Sequence, residues 1–465
     1  MQNGSATLDR VLHRLDADLD ASVERLFAWL RIPSISTDPA YAPHCRTAAA
    51  WLEGELSQIG FDASVRDTEG HPVVMGHQPR GNGPHVLFYG HYDVQPVDPL
   101  DLWDAPPFEP KLATLPDGRT VISARGACDD KGQVLTFLEA CRAWKAEGGE
   151  LPVGVTVMVE GEEESGSKHL PTFVEANRDE LQADLALVCD TGMWDRNTPA
   201  ITASLRGLAY FEVVVRCADR DLHSGLFGGA ARNPIHVLAR IVADLHDPDG
   251  RIAVPHFYDG VQDLPPEVLE QWRRLNLTPE EFLGQVGLKV SAGEKGRLLV
   301  EQIQSRPTCD VNGIWGGYTG EGTKTVIPSE ARAKVSFRLV GEQDPLAIER
   351  HFETFVLERI PSDCSVEVIR HKGSRAIALP WDMPALAAAK TALAAEWGVE
   401  PVTIGSGGSI PIVGDFKRSL GLDSLLVGFG LDDDRVHSPN EKYDLRSFHK
   451  GARSWARILH ALATR

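Results

Sequence analysis

Charged side chains follow several short apolar runs, and this arrangement limits the folds that are available to the chain. The run Val86 to Tyr89 is followed by His91 and Asp93, and the run Val121 to Ser123 by Asp129-Asp130. The run Val153 to Val159 is followed by Glu162-Glu163-Glu164. Apolar runs of this length are typical of buried strands, and open α/β sheets place their sites at strand ends. The sequence therefore predicts an α/β fold that gathers imidazole and carboxylate groups at one edge of a sheet.

Length and charge restrict the organisation of the chain and its partners. A chain of 465 residues fits two domains, or one domain with a large insertion. The 66 acidic and 47 basic residues give a formal net charge of -19, which repels phosphate backbones and anionic lipid heads. We therefore expect neither nucleic acid nor a membrane as a partner.

The cysteines and the N-terminal segment favour the cytoplasm as the location. The seven cysteines are widely spaced and include no CxxC pair, which is typical of reduced thiols rather than a disulfide framework. Met1 to Asp20 lacks the basic region and the continuous apolar core of a signal peptide. No apolar run approaches the length of a transmembrane helix.

The periodicity of apolar residues changes along the chain and predicts an inserted domain. Spacings of three and four predict one or two helices in the first thirty residues. Helical patterns, such as Val134 to Trp144, then alternate with Val/Leu-rich runs to about Asp190, which predicts a mostly parallel sheet with helices on both faces. From about Arg206, apolar and polar residues alternate as in half-exposed antiparallel strands. The α/β pattern returns with a helix from Pro384 to Trp397.

These patterns predict a catalytic domain that is interrupted by an α+β domain. The predicted boundaries are residues 1–203 for the first part of the catalytic domain, 204–377 for the insertion and 378–465 for the second part. An insertion of roughly 170 residues is near the usual size of a domain. Residues 250–295 are rich in loop-forming residues, and their structure is not predicted.

The polar clusters have both an ordinary interpretation and a chemical one. A His and an Asp two residues apart, such as His91 and Asp93, leave the same face of a strand end, although alone they are more often part of a solvated turn. Asp129-Asp130 could open a helix, and Glu162 to Glu164 could form a solvated surface. Charge at the end of a buried strand costs free energy unless a cation compensates it, which favours a metal site.

Three further features fit a metal site. Two adjacent glutamates, Glu163 and Glu164, can divide the work, because one can bind an ion while the other accepts a proton from water. Asp190 closes the apolar run Leu185 to Cys189. His437 follows the acidic run Asp432 to Asp434, which by itself is typical of a surface loop.

Six motifs occur in order along essentially the whole chain. They are His91-Tyr92-Asp93-Val94-Gln95-Pro96, Arg125-Gly126, Glu163-Glu164-Ser165-Gly166-Ser167, Lys324-Thr325-Val326-Ile327-Pro328, Gly407-Gly408-Ser409-Ile410-Pro411, and His437-Ser438 with Asn440-Glu441-Lys442. Together they resemble the co-catalytic zinc metallopeptidase family that includes aminoacylase, carboxypeptidase G, succinyl-diaminopimelate desuccinylase and carnosinase. The branch of carnosinase and the cytosolic nonspecific dipeptidase is the most similar.

The resemblance implies a centre of two divalent metal ions. His91 and Asp190 would hold one ion, Glu164 and His437 the other, and Asp129 would bridge them. Zinc is the favoured metal, with manganese or cobalt as alternatives, because carboxylate and imidazole ligands accept all three. Asp130 receives no role.

The resemblance also implies roles in catalysis and substrate binding. Glu163 would be the general base, Asp93 would orient His91, and His223 would stabilise the oxyanion from the inserted domain. The residues implied to bind the substrate and its carboxylate are Arg338, Thr325, Ser409 and His371.

The activity implied by the resemblance is hydrolysis of an amide bond. An aspartate at the position of Asp190 goes with aminopeptidases and dipeptidases in this family, so we expect dipeptides or short peptides with a free amino end as substrates. Two alternatives remain open, namely an N-acyl-amino-acid deacylase of the same fold and a non-catalytic metal-binding scaffold. The resemblance further implies a homodimer formed through the inserted domain, which would act as a lid.

Overall fold

The structure is a computed structural model that describes residues 2–79, 83–371, 373–407 and 410–464. The strands are β1 (Asp62–Arg66), β2 (Val73–Gln78), β3 (His85–His91), β4 (Lys111–Thr114), β5 (Thr120–Ser123), β6 (Gly154–Glu160), β7 (Leu185–Val188), β8 (Ala200–Leu205), β9 (Gly207–Arg216), β10 (Leu222–His223), β11 (Thr308–Gly316), β12 (Val326–Ile327), β13 (Glu330–Leu339), β14 (Ser365–Arg370), β15 (Ile377–Ala378), β16 (Val402–Ser406), β17 (Ser424–Leu426) and β18 (Lys442–Asp444).

The first and the last elements of the chain are both α-helices. The α-helices are α1 (Gln2–Ala17), α2 (Leu19–Leu30), α3 (Ala42–Ile59), α4 (Lys131–Gly148), α5 (Leu170–Ala176), α6 (Ser224–Phe227), α7 (Pro234–Ala243), α8 (Pro266–Leu275), α9 (Pro279–Gly284), α10 (Leu299–Gln304), α11 (Pro345–Leu357), α12 (Pro384–Trp397), α13 (Pro411–Asp415) and α14 (Leu445–Ala463). Among the described residues, no helix combines the length and the apolar character needed to cross a membrane.

The chain folds into two compact units. Unit 1 comprises Met1–Ala203, Leu379–Ile404 and Ile412–Arg465, and unit 2 comprises Ser204–Ala378 and Gly405–Pro411. Unit 2 therefore also includes a short segment from the part of the sequence that follows the predicted insertion.

Unit 1 contains a large sheet whose central strands are parallel. The strand order is β1-β2-β6-β3-β7-β17-β8, and β6, β3, β7 and β17 run parallel to one another. The pairs β1–β2, β2–β6 and β17–β8 are antiparallel. Strands β3 and β6 are buried along their whole length, as expected where helices cover both faces of a sheet. The predicted α/β fold with a mostly parallel sheet is confirmed.

Two neighbouring aromatic residues of β3 show that both faces of this sheet are covered. Phe88 stacks on Phe137 of α4, with ring centroids 3.8 Å apart, and meets Trp455 of α14 edge to face. Tyr89 points to the other face, because consecutive strand residues alternate, and it contacts Phe416 edge to face. The core of unit 1 therefore lies in layers on either side of β3.

One expectation about the sheet is wrong. The run Val121 to Ser123 forms β5, which belongs to a separate three-stranded antiparallel sheet of order β18-β5-β4. Helix α4 thus does not connect two strands of the parallel sheet, and Asp129 lies in the loop between β5 and α4. A four-residue apolar run is compatible with either kind of pairing, so its sequence does not identify the partner strand.

Unit 2 contains a four-stranded antiparallel sheet of order β11-β13-β9-β14. Buried and half-exposed residues alternate strictly along β13, and Phe211, Phe337 and Phe352 pack together on the buried face. Helix α7 begins after Asn233, whose side chain accepts a hydrogen bond from the backbone N–H of Ile235. The alternating strands predicted from about Arg206 are present, and residues 250–295 contain the short helices α8 and α9.

Candidate metal centre

Five side chains of unit 1 form two overlapping groups of metal-donor atoms. His91, Asp129 and Asp190 make up one group, and Asp129, Glu164 and His437 make up the other. Within each group the donor atoms lie within 4.8 Å of one another. Asp129 belongs to both groups. These are the residues to which the family resemblance assigned metal binding.

The parallel strands account for the position of three of these residues. His91 is the last residue of β3, Glu164 lies in the 3-10 turn Glu163–Ser165 that follows β6, and Asp190 comes two residues after β7. Because β6, β3 and β7 are parallel neighbours, their carboxyl ends meet at one edge of the sheet. The other two residues, Asp129 and His437, come from loops next to β5 and β18, which pair with each other.

Each carboxylate oxygen of Asp129 faces a different histidine. Oδ1 lies 3.1 Å from Nε2 of His91, and Oδ2 lies 2.9 Å from Nε2 of His437. The same Nε2 of His437 is 3.2 Å from Oε2 of Glu164. Burial opposes ionisation of Asp129, but the hydrogen bonds from His437 and His91 outweigh it and hold the pKa of Asp129 below its usual value. This two-sided geometry suits a carboxylate that bridges two ions.

Several acidic side chains are buried close together in the site, and this arrangement favours the binding of cations. Desolvation, followed by the charge of Asp129, raises the pKa of Asp190 to about 8. Desolvation also raises the pKa of Glu163 to about 7; nearby His91 opposes this rise, while Glu164 and Asp93 add to it. Burial raises the pKa of Asp130 well above its usual value. Divalent cations with mixed imidazole and carboxylate ligands would relieve this crowding of acidic groups, so the residues fit such ions.

Asp93 links two of the segments that carry donor atoms. Its buried carboxylate accepts hydrogen bonds from the backbone N–H groups of Glu163 at 3.3 Å and Glu164 at 3.1 Å. Nδ1 of His91 lies 3.1 Å from the backbone oxygen of Asp93 and 3.4 Å from its carboxylate Oδ1. Asp93 therefore fixes the glutamate turn relative to the end of β3, and it belongs to neither donor group.

The two adjacent glutamates occupy different positions. Glu164 contributes a donor atom to the second group, and its Oε2 also accepts a hydrogen bond of 2.6 Å from Nε2 of Gln95. Glu163 belongs to neither group, although its pKa responds to His91 and Glu164. One glutamate can therefore bind an ion while the other remains available for proton transfer.

The loop that carries His437 is held in an unusual conformation. His437 has a φ of 63°, in the left-handed region that a residue with a side chain rarely adopts. Asp434 braces the loop, because its carboxylate accepts hydrogen bonds of 2.7 Å from Nζ of Lys442 and from the backbone N–H of Leu431. The adjacent Asp433 pairs with Arg119 at the surface. The acidic run thus holds the loop that carries His437 in place.

Glu441 is a site residue whose role the sequence did not reveal. Its buried carboxylate accepts hydrogen bonds from the guanidinium of Arg125 and from the backbone N–H groups of Gly126, Cys128 and Asp129, at 2.8 to 3.0 Å. Glu441 therefore holds the loop that presents Asp129. The motifs Arg125-Gly126 and Asn440-Glu441-Lys442 were the available signal, but their separation of more than 300 residues hides the contact.

His223 and Thr325, which were both expected to act on the substrate, lie close to each other in unit 2. His223 is exposed, and its Nδ1 accepts a hydrogen bond of 2.9 Å from the backbone N–H of Gly225. Because Nδ1 acts as the acceptor, Nε2 carries the ring proton and can donate it to a hydrogen bond. Thr325 is adjacent, since its backbone oxygen accepts from the N–H of Ser224.

A second arginine lies close to Arg338 in unit 2. Burial and then the positive charge of Arg338 lower the pKa of Arg206 to about 10. The buried Nη1 atom of Arg206 has no hydrogen-bond partner among the described residues. Arg206 was not predicted as a site residue, and the signal that reveals it is this unpartnered Nη1 atom beside another cation. The pair would accommodate an anion such as a carboxylate.

The remaining residues expected to bind substrate are His371 and Ser409. The backbone N–H of His371 donates a hydrogen bond to the backbone oxygen of Tyr210, and the two side-chain rings meet edge to face. Tyr210 pairs with Ser336 of β13, so His371 and Arg338 lie on the half-exposed face of the same sheet. Ser409 lies outside the described residues.

Comparison with known proteins places the chain in a family. The model of Peptidase family M20/M25/M40 matches residues 87–461. The chain is 32% identical over 479 residues to the Cys-Gly metallodipeptidase dug1 of Schizosaccharomyces pombe, with 98% of this chain and 99% of that protein covered.

Solved structures agree with this match. Human carnosine dipeptidase 1 is 30% identical with a TM-score of 0.78, covering 98% of this chain and 99% of that chain. The M20 family metallo-carboxypeptidase Sso-CP2 of Sulfolobus solfataricus is 31% identical with a TM-score of 0.80, covering 96% and 99%. The chain therefore belongs to peptidase family M20/M25/M40 and is a metallopeptidase. The predicted similarity to the branch of carnosinase and dipeptidases is confirmed.

The position of Glu441 leads to a prediction about metal binding. In a Glu441→Gln variant, an amide NH₂ would replace one of the two oxygens that accept hydrogen bonds, so the loop carrying Asp129 would be less well held. We expect the affinity of the metal-free protein for Zn²⁺ to fall about 10-fold or more, as with other outer partners of metal ligands. Calorimetric titration measures this change.

The control is Glu175→Gln on α5, where the side chain is 59% exposed and pairs with Arg178 at the surface. This variant should bind Zn²⁺ like the wild type. A folded Glu441→Gln variant with wild-type affinity would show that the loop does not depend on Glu441.

Proposed function

We propose that this metallopeptidase hydrolyses the peptide bond of dipeptides that have a free amino end. The observation that carries the proposal is the pair of overlapping donor groups, which share the carboxylate of Asp129. By their names, the similar proteins of Schizosaccharomyces pombe and human are a Cys-Gly metallodipeptidase and a carnosine dipeptidase, and each is matched over nearly its whole length.

The proposed centre holds two divalent ions. His91 and Asp190 would bind one, Glu164 and His437 the other, and Asp129 both. Zinc is favoured because imidazole and carboxylate are among its usual ligands, and manganese and cobalt accept the same set. When bound, such a pair of ions polarises a carbonyl group and lowers the pKa of water.

Glu163 is the proposed general base. Its raised pKa, about 7, suits a carboxylate that accepts a proton from the attacking water and returns it to the leaving nitrogen near neutral pH. Asp93 positions both this glutamate and its neighbour through their backbone N–H groups. The base therefore stays beside the donor groups without belonging to them.

Unit 2 supplies the proposed groups that recognise the substrate. Arg338 would bind the carboxylate of the substrate together with Thr325 and Ser409, and His371 would line the same pocket. The unpaired Nη1 of Arg206 supports an anion site beside Arg338. His223 would donate from Nε2 to the developing oxyanion, since its Nδ1 is engaged by Gly225.

We further propose that the protein is a cytoplasmic homodimer formed through unit 2, which acts as a lid. The described cysteines are free thiols, as is usual in a reducing compartment. Strand β11 is at the edge of its sheet and exposes Ile314 and Trp315, which are 54% and 43% accessible. An exposed apolar edge strand is a surface that a second copy of the chain can cover.

Replacing the proposed base separates proton transfer from metal binding. In Glu163→Gln, kcat for dipeptide hydrolysis should fall by about 10²–10⁴, because the amide cannot accept the proton of water. Both ions should remain bound, since Glu163 belongs to neither donor group. Steady-state kinetics combined with elemental analysis tests both statements.

The matched control is Glu162→Gln, since the carboxylate of Glu162 contacts His169 at 2.9 Å and belongs to neither donor group. This variant should keep most of the activity. Loss of bound metal from Glu163→Gln would contradict the assignment of Glu163 as the base.

A substrate panel tests the proposed specificity. Unblocked Cys-Gly and β-Ala-His should be hydrolysed, and N-acetylated amino acids should react far more slowly. Dialysis against a chelator should abolish activity, and addition of Zn²⁺, Mn²⁺ or Co²⁺ should restore it. Activity confined to the N-acetylated compounds would identify a deacylase, and no hydrolysis by the metal-loaded protein would identify a binding scaffold.

The proposed dimer predicts the effect of a charge on β11. Ile314→Glu should convert the dimer to a monomer, because burying an unpaired carboxylate in the interface costs more than the contact contributes. Sedimentation equilibrium measures the mass. Leu346→Glu on α11, where the side chain is 60% exposed, is the control that should remain dimeric. A wild-type protein that is monomeric and active would refute the dimer.

A further inference from the structure

Two cysteines of unit 2 face each other at the end of its antiparallel sheet. Strands β9 and β14 pair with Arg216 opposite Ser365, so the next residues in the same register are Cys217 and Cys364. Directly opposite residues of an antiparallel pair place their side chains on the same face. The two Sγ atoms are 2.7 Å apart, whereas a disulfide bond is about 2.05 Å long.

These two thiols are also the accessible ones. Both Cys217 and Cys364 are half-buried, whereas the other cysteines, Cys45, Cys128, Cys141, Cys189 and Cys309, are buried. Burial restricts the access of oxidants and raises the pKa of buried thiols such as Cys309. A dissolved oxidant would therefore reach the Cys217–Cys364 pair before the other cysteines.

We propose that Cys217 and Cys364 form a reversible disulfide by exchange with a small disulfide such as oxidised glutathione. The Cys364 thiolate attacks one sulfur of the small disulfide, forms a mixed disulfide and releases one thiol. Cys217 then loses its proton and attacks Cys364, which forms the internal bond and releases the second thiol. Two protein thiols are oxidised, and one small disulfide is reduced to two thiols.

The surroundings of Cys217 favour Cys364 as the first thiol to attack. Burial, together with the hydrogen bond to Cys364, raises the pKa of Cys217 to about 12, so this thiol holds its proton. Once Cys364 is in the mixed disulfide, the short distance between the two residues favours the second step over attack by a dissolved thiol.

The bond would anchor the segment that carries His223. This segment leaves the sheet at Cys217 and reaches Arg232, which pairs with Asp363 at 2.5 Å, beside Cys364. Oxidation would therefore join both ends of the segment to the turn before β14, one by a covalent bond and one by an ion pair. The cross-link also closes a long loop, since the two cysteines are 147 residues apart in sequence.

Intact-mass and thiol measurements on the full-length protein test the proposal. After incubation with oxidised glutathione and removal of the reagent, wild type should lose two of its seven titratable thiols and carry no glutathione adduct. Peptide mapping should identify a Cys217–Cys364 link that dithiothreitol reverses. The oxidised protein should melt about 5 °C or more above the reduced protein.

Single variants provide the controls. Cys217→Ser should retain a glutathione adduct on Cys364 and show no increase in melting temperature. Cys309→Ala, which removes a buried thiol of the same unit, should still form the link. Retention of all seven thiols by oxidised wild type, or a link between two chains instead of within one, would overturn the proposal. This test involves neither the metal ions nor substrate turnover, so its outcome is independent of the proposed activity.

Discussion

The parallel pairing of β6, β3 and β7 is the constraint on which the metal centre depends. It brings the ends of three strands to one edge of the sheet, so that His91, Glu164 and Asp190 meet although they are far apart in sequence. The aromatic packing of Phe88 on Phe137 and of Tyr89 on Phe416 fixes β3 from both faces. A rigid sheet edge is a suitable support for ligands whose positions must be kept within narrow limits.

Buried carboxylates then serve two different purposes at this edge. Burial and the charge of neighbouring acidic groups raise the pKa values of Asp190, Glu163 and Asp130, so binding of cations nearby would be favourable. Glu441 and Asp93 are instead satisfied by backbone N–H groups and hold the loops in place. The site thus combines acidic groups whose charge is poorly compensated with carboxylates that backbone N–H groups hold in place.

Unit 2 differs from unit 1 in the way that its polar groups are arranged. Its antiparallel sheet buries one face and leaves the other half-exposed, and the half-exposed face carries Arg338. The edge strand β11 exposes apolar side chains, and Cys217 at the end of β9 faces Cys364 just before β14. The proposed substrate binding, dimer contact and oxidation all concern unit 2, whereas unit 1 contains the candidate metal donors.

The sequence by itself determined where several helices and strands lie and which kinds of side chain form the metal site. Apolar periodicity located α4, α12 and β13, and the polar clusters after β3, β6 and β7 predicted a metal site, because these signals are local. Only the tertiary structure decided that β5 pairs with β18 and β4, that Glu441 holds the loop of Asp129, and that Arg206 lies beside Arg338. Such contacts depend on which distant segments pack together, and neither hydrophobic spacing nor residue type encodes that choice locally.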